Sequence, residues 1–142
     1  MSIAKDTFKK YQAQTFPSPS CLEIESTKGS YITDINGKQY LDFVAGVSAC
    51  SLGHSNPIII DAVKDQLDKY THVMVYGEYV QSPQYTLAQL LADSLPSALS
   101  TTYFTNSGTE AIEGAMKLAK RATGRSEIIS CKYSYHGSTQ GA

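Results

Sequence analysis

The chain has 142 residues, of which 42% are hydrophobic and 18% charged, a composition typical of globular proteins rather than disordered or fibrous ones. Lys and Arg number 12 against 13 Asp and Glu, so no basic surplus exists to attract nucleic acid or an anionic membrane. The longest apolar stretches are too short to span a bilayer, and the N-terminus lacks the apolar core of a signal peptide. These features predict a cytoplasmic protein whose partners, neither nucleic acid nor membrane, bind at a specific site.

The cysteines and histidines give no sign of a metal site. Three cysteines are widely spaced and form no CxxC pair, which argues against a disulfide framework or a zinc knuckle. No cluster of His, Cys, Asp and Glu has the spacing of metal ligands. We therefore expect no bound metal.

The first part of the chain carries the signals of a helix followed by an antiparallel meander. Apolar and basic residues alternate at helical spacing over 2–14. Period-two alternation then predicts a small antiparallel meander over 21–44. Asn36-Gly37 separates two of its strands, and this pair is a strong hairpin signal because both residues tolerate positive φ.

Small residues and two helix starts occupy the middle of the chain. The glycine-dotted stretch 45–54 allows a close backbone approach, and it ends at His54, which is either catalytic or structural. Ser55 or Asn56 is expected to cap a helix that runs from Pro57 to about residue 70. Ser82-Pro83 predicts the start of another helix, which ends before Pro96, whereas residues 71–81 have no firm period.

The last third of the chain predicts a βαβ unit. Residues 101–105 and 127–131 are rich in β-branched residues and are expected to form strands. Between them, Ser107 and Glu110 have the spacing of a capping box, and the helix that follows closes at Gly124. On that helix Glu113 is expected to pair with Lys117 one turn away. The predicted class is α/β, with a mainly parallel sheet covered by helices.

The loop before this helix is the first candidate site. The free N–H groups of Gly108 and Thr109, with the Ser107 and Thr109 hydroxyls and the helix dipole, suit a phosphate or a carboxylate. The alternative is a capping box that satisfies only itself. The loop lacks the glycine and lysine pattern of a nucleotide P-loop and the glycine pattern of a dinucleotide fold.

The segment 133–139 follows the next predicted strand and brings an aromatic ring, an imidazole and hydroxyls. The carboxyl ends of parallel strands meet at one edge of a sheet, so Tyr135 and His136 are expected near the phosphate loop. An aromatic ring beside an anion site suits a planar, phosphorylated ligand. The alternative is a polar surface loop with a half-buried tyrosine.

In this order and spacing the motifs resemble those of the class III, ornithine-type aminotransferases, which are fold type I pyridoxal-phosphate (PLP) enzymes. The resemblance covers essentially the whole chain. The matching segments are residues 29–43, Gly46 with 52–57, NSGTEAIEGAMKLAKRATGR at 106–125, and Tyr135-His136-Gly137. It implies a division into 1–54, a helix and meander of a small domain, and 55–142, the first part of a large PLP-binding domain that the chain does not complete.

The resemblance also implies roles for individual residues. Gly108 and Thr109, with Ser107 beside them, would bind the cofactor phosphate, while Tyr135 would lie on the pyridine ring and His136 would shape the same wall. The loop with Val47 and Ser48 would line the substrate side. The stretch 74–79 would approach the partner subunit's active site in a homodimer.

Two departures from the family pattern stand out. Many acetylornithine and ornithine enzymes have an arginine directly after the last His-Gly, where it helps to bind the substrate carboxylate, whereas this chain has Ser138. The Schiff-base lysine and the aspartate that faces the pyridine nitrogen are expected beyond Ala142, so none of the ten lysines present is assigned to catalysis.

The sequence thus predicts the N-terminal part of an aminotransferase that moves an amino group between an amino acid or ω-amine and a 2-oxo acid. Two alternatives stay open. One is a family member with aminomutase or racemase activity. The other is a non-catalytic module that keeps the phosphate loop and the dimer surface.

Overall fold

The computed structural model describes residues 3–74 and 76–142. They divide into two compact units, Met1–Val73 and Met74–Ala142. Met1, Ser2 and Val75 lie outside the described residues; Ser2 is part of the predicted first helix, and Val75 is part of the stretch 74–79. The first unit contains α1 (Ile3–Tyr11), β1 (Ile24–Lys28), β2 (Tyr31–Asp34), β3 (Gln39–Leu41), α2 (Ala45–Ser48) and α3 (Pro57–Leu67). The second unit contains α4 (Ser82–Ser94) and α5 (Gly108–Thr123).

The three strands form the predicted antiparallel meander. They lie in the order β1-β2-β3, and each neighbouring pair is antiparallel. Ile24 pairs with Asp34 and Lys28 with Tyr31, and a bulge between Ile24 and Ser26 shifts the register of β1. The alternation in the sequence was therefore sufficient to locate this sheet.

The hairpin between β2 and β3 forms as predicted, but its turn differs from the expected one. Gly37 has a φ of 79°, whereas Asn36 is absent from the residues with positive φ. The Asp34 carbonyl accepts from the Gly37 N–H at 2.9 Å, and the Asp34 N–H donates to the Lys38 carbonyl at 3.0 Å. This is the three-residue hairpin loop that places a single glycine in the left-handed region.

The Asp34 side chain explains why this turn is chosen. Its Oδ1 accepts from the N–H groups of Asn36 at 2.9 Å and Lys38 at 3.0 Å, and its Oδ2 accepts from the Tyr40 hydroxyl at 3.0 Å. Asp34 is only 6% exposed. Burial acts to raise the pKa of Asp34, but the hydrogen bonds from Lys38, Asn36 and Tyr40 together outweigh it and lower the pKa.

The predicted start of α3 and the predicted end of α5 are confirmed by their capping groups. Asn56 caps α3, because its Oδ1 accepts from the Ile58 N–H at 3.0 Å, and Pro57 occupies the first helical position. The helix ends at Leu67, a little earlier than expected. At the end of α5, Gly124 has a φ of 70° and its N–H donates to the Lys120 carbonyl.

The two strands predicted in the second unit are not formed, which corrects the expected βαβ unit. Residues 101–105 and 127–131 have no strand assignment, and within the described part of the chain no ladder pairs with either segment. A strand exists only where a neighbour supplies the other half of the ladder, so β-propensity alone did not produce one. The helix between them is formed as predicted.

Apolar side chains line the helices but do not build a closed core. Among residues 4–74 and 76–142, no hydrophobic side chain is buried, and large ones on α3 and α4 such as Val63 and Leu90 are exposed. None of the helices in the described residues has the length and apolar character needed to cross a bilayer.

Candidate functional site

The N-terminus of α5 is organised by the predicted capping box. Ser107 is the N-cap, with a φ of −154°, and its Oγ accepts from the Glu110 N–H at 3.2 Å. The Glu110 carboxylate reaches back to the N–H of Asn106 at 2.8 Å, one residue before the N-cap. Two backbone donors of this loop are therefore satisfied by side chains.

Two further donors at this helix end point to no protein acceptor. The N–H groups of Gly108 and Thr109 belong to the first turn, where no intrahelical carbonyl is available. Neither donates a hydrogen bond within the part of the chain that the structure describes. A Cβ built on Gly108 would meet nothing within 4 Å, so open space lies beside this residue. The free donors, the open side and the helix dipole fit a phosphate group.

The predicted Tyr-His-Gly segment reaches this helix end through Gly137. A Cβ on Gly137 would lie 2.6 Å from Thr109 Oγ1 and 2.8 Å from Thr109 Cγ2. Gly137 also has a φ of 152°, which L side chains rarely adopt. Glycine is thus required here both by the backbone conformation and by the close approach to Thr109. The contact joins two motifs that lie 28 residues apart in sequence.

Glu113, one turn further along α5, holds the same segment at a second point. Its Oε1 accepts from the Thr139 hydroxyl at 2.6 Å and from the Gly141 N–H at 3.2 Å. The hydrogen bond from Thr139 is the largest cause of the lowered pKa of Glu113, and attraction to Lys117 contributes further. The predicted partner Lys117 thus attracts Glu113 without forming a salt bridge among the described residues, and the hydrogen bonds of Glu113 go to a distant segment.

Tyr135 and His136 precede Gly137 and are exposed. The Tyr135 side chain is 79% exposed, and its hydroxyl lies 2.8 Å from Ser138 Oγ. Ser138, which stands where many family members have arginine, therefore contacts the tyrosine predicted to stack on the cofactor. The open ring face of Tyr135 is available for a planar ligand.

The predicted substrate residues lie in the first unit, on the short turn α2. Ala45, Gly46, Val47 and Ser48 have φ values of 49°, 60°, 57° and 67°. All four residues are thus left-handed, a conformation that costs about 1–2 kcal/mol for each non-glycine residue. Val47 is 87% exposed. Consecutive strained residues persist only where the surroundings hold them, and they cluster at functional sites.

Asp42 supplies the contacts that hold this turn. Its Oδ1 accepts from the N–H groups of Val44 at 2.9 Å and Ala45 at 3.0 Å, and its Oδ2 lies 2.7 Å from His54 Nε2. The Asp42 and His54 side chains are 7% and 14% exposed. The hydrogen bond to His54, followed by that from Ala45, lowers the pKa of Asp42. The geometry assigns His54 a structural role, one of the two interpretations that the sequence allowed.

A backbone bridge fixes His54 in turn. Its N–H donates to the Gly29 carbonyl at 2.7 Å, and the Gly29 N–H donates to the His54 carbonyl at 2.9 Å. A Cβ on Gly53, whose φ is 87°, would lie 3.4 Å from Gly29 Cα. That distance is an ordinary contact, so the positive φ, rather than a lack of space, favours glycine before the histidine.

Sequence reasoning missed three residues that organise these sites: Asp42, Glu113 and Thr139. Asp42 lies at the end of a predicted strand, just before a glycine-dotted stretch. An Asp in this position often accepts hydrogen bonds from nearby backbone N–H groups, and this was the only signal in the sequence for its role. Glu113 and Thr139 gave no such signal, because their contact spans 26 residues.

Comparison with known proteins gives a consistent family. The model of the class-III aminotransferase family matches residues 12–142. The acetylornithine aminotransferase of Archaeoglobus fulgidus is 40% identical over 134 residues, which make up 94% of this chain and 34% of that protein. The acetylornithine aminotransferase of Bacillus subtilis is 45% identical over 118 residues, or 83% of this chain and 30% of that protein.

Solved structures agree with the sequence comparison. An S-selective transaminase from Arthrobacter sp. superimposes with a TM-score of 0.86 at 28% sequence identity. The match covers 96% of this chain and 31% of the Arthrobacter chain. The taurine:2-oxoglutarate aminotransferase of Bifidobacterium kashiwanohense, in complex with PLP and glutamate, superimposes with a TM-score of 0.83 at 33% sequence identity. The match covers 96% of this chain and 31% of that one. The chain spans about a third of the length of these proteins. The fold is therefore that of part of a fold type I PLP transaminase, and the chain belongs to the class-III aminotransferase family.

Proposed function

We propose that the chain is the N-terminal, phosphate-binding part of a PLP-dependent aminotransferase. The reaction is the transfer of an amino group between an amino acid or ω-amine and a 2-oxo acid. The observation that carries this proposal is the contact of Gly137 with Thr109, because it joins the Tyr-His-Gly segment to a helix end with two unused N–H donors.

The phosphate of PLP matches the chemistry of this helix end. Gly108 and Thr109 would donate their N–H groups, and the Ser107 and Thr109 hydroxyls would stand beside them. The positive end of the helix dipole favours the phosphate charge. When bound, PLP supplies an electron sink for bond cleavage at the substrate Cα.

The other site residues receive roles around this anchor. Tyr135 stacks on the pyridine ring and holds its plane, and His136 shapes the same wall. Val47 and Ser48 line the substrate side, where the left-handed turn fixes their direction. The absence of an arginine at Ser138 means that a substrate carboxylate is bound by another group.

The assembly and the domain division are part of the same proposal. The protein acts in the cytoplasm as a homodimer, in which the stretch 74–79 approaches the partner subunit's active site. Residues 1–54 belong to the small domain and 55–142 to the large PLP-binding domain. The relatives that bear aminotransferase names support the reaction class.

The test uses the whole protein, incubated with PLP and then reduced with borohydride. We expect a stable label on one lysine outside this chain, and amino transfer from at least one amine in a panel to 2-oxoglutarate. A label on one of the ten lysines present here would overturn the assignment of the catalytic lysine. If neither labelling nor amino transfer occurred, the proposal would fail and a non-catalytic module would be favoured.

A further inference from the structure

We propose that Glu113 is a positioning residue that tethers the segment 135–142 to α5 and thereby fixes Tyr135 beside the phosphate-binding helix end. The inference rests on the proposed function, since it assigns a residue outside the predicted cofactor contacts to the organisation of that site. In this proposal Glu113 binds neither Gly108 nor Tyr135 directly. It acts through Thr139 and Gly141.

The tether is made by two donors that converge on one carboxylate oxygen. Glu113 Oε1 accepts from Thr139 Oγ1 at 2.6 Å and from the Gly141 N–H at 3.2 Å. The Thr139 hydroxyl is itself oriented, because its oxygen accepts from the Ala142 N–H at 3.3 Å. A hydrogen bond to an ionised carboxylate is stronger than one between neutral groups.

The positions of the contacts on the helix define the direction of the segment. Thr109 and Glu113 are four residues apart and so lie on one face of α5. Gly137 contacts Thr109 in the first turn, and Gly141 contacts Glu113 one turn later. Two contacts spaced along one helix face fix both the position and the orientation of the segment that carries Tyr135.

Glycine at 141 is part of the same arrangement. A Cβ there would lie 2.7 Å from Glu113 Oε1 and 2.8 Å from Oε2. A side chain at this position would therefore require the Glu113 carboxylate to shift. Glu113 is half-buried.

The chemistry of the tether predicts which substitutions preserve it. Both donors are neutral, so the amide oxygen of Gln in Glu113→Gln can accept the same two hydrogen bonds. Glu113→Ala removes the acceptor, and Thr139→Val removes the hydroxyl while it preserves the shape of the side chain. Glu127→Ala is the matched control, because Glu127 is exposed and forms no hydrogen bond within the described residues.

The experiment compares these variants of the whole protein by two readouts. Amide hydrogen exchange of the peptide that covers 135–142 reports the tether without any cofactor. The dissociation constant for PLP and the circular dichroism induced in its absorption band report the placement of Tyr135. Melting temperature and far-ultraviolet circular dichroism show whether each variant is folded.

We expect Glu113→Ala and Thr139→Val each to speed exchange in the peptide and to weaken PLP binding by about tenfold, with a reduced induced signal. The double variant is expected to bind PLP no more weakly than Glu113→Ala alone, because the hydrogen bond that Thr139→Val removes is one of the two that Glu113→Ala already removes. Glu113→Gln is expected to lie between the unsubstituted protein and Glu113→Ala, because its neutral amide oxygen accepts the same hydrogen bonds more weakly. Glu127→Ala is expected to behave like the unsubstituted protein.

Three outcomes would overturn the inference. One is unchanged exchange in the folded Ala and Val variants, and another is faster exchange with an unchanged PLP dissociation constant and induced signal. The third is a Glu113→Gln variant as defective as Glu113→Ala. Failure of the unsubstituted protein to bind PLP would instead overturn the proposed function, and the exchange readout would still decide whether the tether exists.

Discussion

Replacing Gly137 with alanine is expected to weaken PLP binding by the whole protein by roughly 100-fold. The added Cβ would lie 2.6 Å from Thr109 Oγ1 and 2.9 Å from Ala142 Cβ, so one of these groups must move. The φ of 152° adds backbone strain that alanine relieves only by shifting the segment. Either movement displaces Tyr135 or Thr109. Equilibrium titration with PLP, followed by absorbance, measures the loss.

The matched control is Gly114→Ala, a glycine substitution in α5. A Cβ at Gly114 meets nothing within 4 Å among the described residues, and the position is inside α5. Alanine is favoured over glycine in a helix by about 1 kcal/mol, so this variant is expected to keep its PLP affinity and to have an equal or higher melting temperature. Normal PLP affinity in the Gly137 variant would show that the contact with Thr109 does not organise the site.

Replacing Asp42 with alanine is expected to lower kcat/KM for the amino donor at least about tenfold while PLP affinity changes little. The substitution leaves the N–H groups of Val44 and Ala45 and the Nε2 of His54 without their acceptor. The left-handed turn that carries Val47 and Ser48 then loses its support and relaxes. Steady-state kinetics and a parallel PLP titration separate the two effects.

The pH dependence of the same turn follows from the lowered pKa of Asp42. A carboxylate whose pKa is lower in the folded state stabilises that state above its ordinary pKa, and the stabilisation is lost as the pH falls below it. The unsubstituted protein is therefore expected to melt at a higher temperature than Asp42→Asn. This difference is expected to be largest near neutral pH and to shrink below about pH 4. This role for Asp42 would be contradicted if Asp42→Ala weakened PLP binding as much as it lowered kcat/KM. It would also be contradicted if the difference in melting temperature between the unsubstituted protein and Asp42→Asn grew as the pH fell.

Local features of the fold could be predicted because their causes lie within a few residues. Asn56 and Pro57 start α3 with a side-chain cap and a preset φ, and Gly124 ends α5 in the left-handed region. The meander followed from alternation alone. In contrast, the turn geometry at Asn36-Gly37 was decided by the Asp34 side chain, which the hairpin signal does not include.

The two strands predicted in the second unit did not form, unlike those of the meander. Residues 101–105 and 127–131 have the composition of strands, yet a ladder needs hydrogen-bonding neighbours that the described residues do not supply. The β-propensity of a segment describes that segment alone, so it cannot show whether a partner strand is present.

In the candidate site, too, the residues with local signals could be predicted and those with distant contacts could not. Ser107, Gly108 and Thr109 could be singled out because a capping box and the free N–H groups beside it are local properties. Glu113 could not be assigned its role, since a helix position with Lys117 four residues later indicates a surface pair. Only the fold brings Thr139 and Gly141 to its carboxylate.

The central claim is that the N-terminus of α5 holds a phosphate, and one comparison tests it most directly. The whole protein and its Thr109→Ala variant are titrated with PLP and with pyridoxal, which lacks the phosphate. We predict that the unsubstituted protein prefers PLP and that the variant loses about tenfold of this preference while its affinity for pyridoxal is unchanged. No preference for PLP, or an equal loss for both compounds, would contradict the claim.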